Sequence, residues 1–179
     1  METALVGVLG ALVGILLSNA LTMLLDVRRR RERITDVQTS LRAEIRSQWR
    51  RLAPLDLESR ARMIVDKIKA AADQELDFTP FIPQEDDNVV FESVVDEIHI
   101  LPNDVIDPVV LYYSQLNTIT RFVEDLRSER FARLEADRKV EMYKDYIAMK
   151  EQARLFADRA IRALDDRSPP TVSSRVSDR

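Results

Sequence analysis

The chain has 179 residues, a net charge of −4, 32% charged residues, no cysteine, one histidine and three glycines. The missing cysteine excludes disulfides, thiolate metal sites and thiol nucleophiles together. All three glycines (Gly7, Gly10, Gly14) lie in the first fourteen residues, so phosphate-cradling loops and glycine-dependent hairpins are excluded from the rest. A charge-rich chain of this kind reads as all-α, its helices separated by proline-marked turns.

Residues 3–25 run TALVGVLGALVGILLSNALTMLL, 23 positions without a charge. At about 1.5 Å per residue this is roughly 34 Å of helix, enough for a hydrocarbon core of about 30 Å. Asp26 closes the stretch, and Arg28, Arg29, Arg30, Arg31 and Arg33 follow it. Arginines held to one flank orient a span with that flank in the cytoplasm. Residues 1–27 are therefore expected to be a transmembrane anchor, single-pass in the inner membrane, N-terminus outside. A cleaved signal peptide would have a basic front and a shorter apolar core. Gly10, Gly14 and Ser18, four apart, form a small-residue face suited to helix association. The five arginines are placed to meet anionic lipid headgroups.

From 28 to 53 the apolar residues Ile34, Val37, Leu41, Ile45, Trp49 and Leu52 recur every three or four positions. This predicts a basic helix continuous with the anchor and ending before Pro54. Its other face carries Arg42, Arg46, Arg50 and Arg51. Residues 54–166 are expected to form an antiparallel helical bundle on the cytoplasmic side. Its first helix starts at an Asp56 N-cap and buries Leu57, Ala61, Ile64, Ile68, Ala72 and Leu76. Residues 78–83 (FTPFIP) must be extended, because each proline disfavours helix in the residue before it. Their three large apolar side chains call for cover. A short helix over 85–101 is predicted to bury Phe91, Val94, Val95 and Ile98. The next is capped by Asp104 or Asp107, with Pro108 in its first turn. Its apolar run Val109, Tyr112, Tyr113, Leu116, Ile119, Val123 and Leu126 is expected to face the core, and of the adjacent Tyr112 and Tyr113 one belongs in the core and one at its rim. A last helix over 136–165 carries Val140, Tyr143, Ile147, Phe156, Ala160, Ile161 and Leu164. Residues 167–179, with Pro169-Pro170 and little apolar content, are expected to be a disordered tail.

Charge comes in blocks. Residues 28–62 hold eleven arginines against five acids, 70–120 hold eleven acids and no lysine or arginine, and 121–167 balance twelve against eleven. The acidic block is expected to dock on the chain's own basic helix, with a neighbour's helix or a basic partner as alternatives.

Chemistry has few places to reside. Glu92, Asp96 and His99 would share one helix face at i, i+4 and i+7, but a di-iron bundle needs the carboxylate-x-x-His element twice and the chain has one histidine. The sequence predicts a solvated acidic face there, with no metal and no cofactor. Ser93 and Ser114 lack a glycine-framed elbow. Neither catalysis, nucleic-acid binding nor a small-molecule substrate is evident.

The stretch Ile98-His99-Ile100-Leu101-Pro102, followed by Val109-Val110-Leu111-Tyr112-Tyr113, is similar to a pattern in uncharacterised small bacterial and prophage-type proteins with one N-terminal span and a helical domain. The resemblance implies a topology and carries no site residues. The expected function is a membrane-anchored, non-enzymatic interaction or scaffold protein, whose partners are membrane lipids and either further copies of itself or another protein. The alternative is a prophage-type lysis or channel component acting through its span.

Overall fold

The computed structural model describes residues 2–52, 56–85 and 87–166; of residues 2–17, 20 and 52 it describes the backbone alone. All regular structure in the described residues is helical. The helices are α1 (Glu2–Leu52), α2 (Leu57–Asp73), α3 (Val89–Val94) with a following 3-10 turn (Val95–Ile100), α4 (Asn103–Leu126), α5 (Glu129–Ala132) and α6 (Ala136–Asp165).

α4 and α6 form an antiparallel pair closed by α5. Gln115 Nε2 donates to the Met149 carbonyl midway along it (3.2 Å). The third layer is a helix in two pieces. Val37, Leu41 and Ile45 of α1 cluster with Ala157, Ala160 and Leu164 on the C-terminal half of α6 and with Val105 and Val109 of α4. Leu57, Val65 and Ile68 of α2 cluster with Val140, Tyr143 and Ile147 on its N-terminal half. Two cores thus sit end to end along one α4–α6 pair, and Leu116 packs against both. Fully buried Ala153, Ala157 and Ala160 recur at helical spacing on α6. They present little bulk, so the neighbouring helix backbones can approach closely.

Helix ends follow local chemistry. Asp56 caps α2, accepting from Ser59 N at 2.9 Å and Ser59 Oγ at 2.6 Å, and these bonds hold its carboxyl below the usual range. α2 ends in a Schellman motif: Leu76 N–H donates to the Ala71 carbonyl and Glu75 N–H to that of Ala72, with Glu75 left-handed at φ 55°. That position favours glycine, and the chain has none beyond Gly14.

Several expectations need correction. Among the described residues no helix is long and apolar enough to cross a membrane. The described side chains of the apolar stretch, at residues 18, 19 and 21–25, span only about 12 Å of helix before Asp26 and the arginines. The transmembrane span over residues 1–27 and the single-pass inner-membrane localisation are corrected accordingly. α2 stops at Asp73 instead of carrying its stripe to Leu76, which is 61% exposed. α4 begins at Asn103, and Pro108 lies inside it, because the Pro102 carbonyl already accepts from Val105 and Ile106 N–H and Val105 is fully buried. Tyr112 and Tyr113 are both buried, because the α3 segment covers what would be a rim: the Phe91 ring stacks on Tyr113 at 3.9 Å. Of the three apolar side chains in 78–83, Ile82 is buried and Phe78 half-buried, while Phe81 stays 88% exposed. The tail over 167–179 lies outside the described residues.

The left-handed conformation of a non-glycine residue costs about 1–2 kcal/mol, part of which glycine returns as unfolded-chain entropy. Glu75→Gly should therefore raise stability in urea unfolding by up to about 1 kcal/mol. A loss on that substitution would contradict the motif.

Candidate functional site

The most connected polar cluster joins α1 to α3 and α4. Glu44 accepts from Val90 N–H (2.8 Å) and Phe91 N–H (3.1 Å) with its two carboxylate oxygens, and Tyr113 Oη donates to it at 2.7 Å. One turn on, Tyr112 Oη donates to Gln48 Oε1 (2.7 Å) while Gln48 Nε2 donates to Asn88 Oδ1 (3.1 Å). Glu44 thereby serves the otherwise unpaired N–H groups at the start of α3, where Asn88 makes no side-chain cap. Burial, then the Glu44 carboxylate, pushes both Tyr112 and Tyr113 well above the ordinary tyrosine range. Arg33 of α1 and Glu97 of the 3-10 turn continue the contact as a two-bonded ion pair, which holds the Glu97 carboxyl below its usual range. Asn88, Val90 and Glu97 meet Gln48, Glu44 and Arg33 in turn, so this segment runs antiparallel along α1. The cluster is a register device: its groups are spent on one another.

A second set lies on α6. Lys139 and Lys150 are buried and each takes a carboxylate from the segment after α2. Lys139 Nζ reaches Asp77 at 2.8 Å and Lys150 Nζ reaches Glu85 at 2.6 Å. Tyr146 Oη also donates to Glu85 (3.3 Å), and Lys150 Nζ sits 5.5 Å from the Tyr146 ring centre. Burial first, and Glu85 next, raise the Tyr146 phenol. Beside this pair, α2, residues 81–83 and α6 enclose a groove of about 530 Å³, with Leu57, Met63, Ile64 and Ile147 on its walls, Phe81 at its edge, and Arg60 and Lys150 as its cations.

The residues singled out in the sequence are scattered. Gly10 and Gly14 are helical in backbone, and their surroundings lie outside the described residues; Ser18 is exposed, its carbonyl accepting from Thr22 Oγ1 (3.0 Å). Arg28 pairs with Glu32 (2.9 Å), Arg29, Arg30 and Arg31 are exposed, and Arg33 belongs to Glu97. Glu92, Asp96 and His99 do not lie on one α-helix: Glu92 belongs to α3, while Asp96 and His99 lie three apart in the 3-10 turn that begins at Val95. His99 Nδ1 lies 2.9 Å from the Asp96 carbonyl oxygen, and no group of three His, Cys, Asp or Glu among the described residues is placed to hold a metal. Within the acidic block, Asp77 and Glu85 pair with the α6 lysines and Glu97 with Arg33 of the basic helix. Arg42 and Arg46 of the basic helix instead reach Asp165 at the end of α6 (3.2 and 2.6 Å).

Sequence reasoning missed Lys139 and Lys150, although a signal was present. Residues 139, 143, 146 and 150 fall on one face of α6, and lysines within a buried stripe require carboxylates opposite them.

No family model, no curated protein and no solved structure matches this chain.

Replacing Glu44 by Gln leaves one of its two backbone donors facing an amide NH2. The expected cost is about 1–3 kcal/mol in chemical denaturation, with faster hydrogen exchange at Val90 and Phe91; unchanged exchange there would remove Glu44 as the cap. The chain's four tyrosines are all buried and all raised. The folded state thus holds the phenolic protons more tightly than the unfolded chain, whose tyrosines ionise near pH 10. Their contribution to stability is full below about pH 10 and is lost as pH rises beyond it. Tyrosinate absorbance and loss of helical circular dichroism should appear together as one alkaline transition. Tyrosinate forming near pH 10 with the helices intact would contradict the burial.

Proposed function

We propose that the chain is a non-catalytic interaction protein that assembles through the N-terminal part of α1. The observation that carries this reading is an uncovered seam. From residue 21 to 33 every side chain of α1 is exposed, including Leu21, Leu24 and Val27 at 59, 67 and 43%. Leu24 falls seven-residue steps before buried Gln38 and Ile45, and Val27 before Ile34, Leu41 and Gln48. The helix face that is core inside the bundle therefore continues outside it, where its side chains are exposed among the described residues. Large apolar side chains at such spacing, on a helix already held straight by a bundle, suit packing against a like helix. A second copy supplies the matching face. An antiparallel arrangement would move the arginines at 28–31 of one copy away from those of the other, relieving like-charge repulsion.

Sedimentation equilibrium of the full chain should show reversible self-association. Leu24→Glu with Val27→Glu should weaken it by about tenfold or more while leaving helical content unchanged, because both side chains are exposed in the monomer. A chain that is monomeric at every concentration, or one whose association ignores the substitutions, would refute the reading.

A further inference from the structure

We propose that the groove between α2, the extended segment at 81–83 and α6 binds an aliphatic monocarboxylate. Its volume of about 530 Å³ lies in the range of small-molecule sites, which combine apolar walls with a few convergent polar groups. Here the aliphatic walls are joined by the rings of Tyr143 and Tyr146, and Met63, 51% exposed, is a side chain that adapts to the shape of a chain-like ligand. Phe81 is held at the edge by its neighbours: Ile82 is 3% exposed and Pro80 is buried. The backbone is thus anchored while the ring stays in water, an arrangement that gains once an apolar molecule lies beneath it.

Charge selects the head group. Arg60 takes part in none of the ion pairs or side-chain hydrogen bonds among the described residues. Lys150 spends one N–H on Glu85, and an ammonium has three. Arg60 and Lys150 against Glu85 leave one net positive charge at the groove, matched by one carboxylate. A cationic amphiphile would meet two like charges. A partner helix fits less well, because a stable protein interface covers roughly 800 Å² on each side, whereas Leu57 and Ile82 are already buried and the exposed apolar side chains are Met63 and Phe81.

Calorimetric titration of the full chain with dodecanoate below its micellar concentration tests this, beside dodecylammonium and an acidic amphipathic helical peptide. The site predicts saturable one-to-one binding of dodecanoate and none of the amine. Arg60→Glu should weaken dodecanoate by about tenfold or more, the scale of one charge-assisted hydrogen bond, without moving the unfolding temperature. Absence of saturable dodecanoate binding would overturn the proposal. So would equal binding of the amine, indifference to Arg60→Glu, or binding of the peptide alone.

Discussion

Every long helix of this protein is positioned by its contact with α6. Thirty residues make a rod of about 45 Å, long enough to take two shorter helices in succession on one side and α4 along another. α1, which ends at Leu52, occupies its C-terminal half, and α2, which begins at Leu57, its N-terminal half. Because the two cores share α4 and α6, neither is an independent unit. Each buried Leu, Ile or Tyr contributes roughly 1.5–3 kcal/mol, and that apolar burial alone would tolerate some sliding of α1 along the groove.

Polar groups remove that freedom. Glu44 and Gln48 have partners that exist at one register only, and a slip of one turn would leave the Tyr113 hydroxyl and the α3 amides buried without acceptors, at about 1–3 kcal/mol each. The Lys139–Asp77 and Lys150–Glu85 pairs do the same for the long connection between α2 and α3, tying its two ends to points eleven residues apart on α6. Buried ion pairs are weak contributors to net stability; here their role is to choose among packings that the apolar residues leave nearly equal.

Much of this was legible in the sequence where periodicity was strong. The all-α class, α6 with both its limits, the continuity of α1 to Leu52 and the Asp56 cap all follow from spacing, prolines and the absence of glycine after Gly14. Elements held by tertiary contact were less legible. The α3 segment reads as a single α-helix, yet it turns 3-10 at Val95 and is fixed by side chains from α1 far away in sequence. One of the adjacent Tyr112 and Tyr113 is expected at the rim from spacing alone, yet both are buried, because the cover over Tyr113, the Phe91 ring, comes from that segment. The lysines of α6 and the groove beside them depend on where an extended, proline-bearing segment lies, and no periodicity reports that. The expected membrane span was the largest departure: 23 uncharged residues over 3–25 predict it, while among the described residues no helix is long and apolar enough to cross a membrane.

α1 has two parts with different surroundings, a bundled half from Ile34 onward and an exposed seam over 21–33, which we propose a second copy covers. Hydrogen exchange followed against protein concentration reads this directly. At high dilution, amides at 21–33 should exchange much faster than those at 37–48, and protection should grow over 21–31 alone as concentration rises. Equal protection of both halves at high dilution, or protection over 21–31 that ignores concentration, would contradict the account.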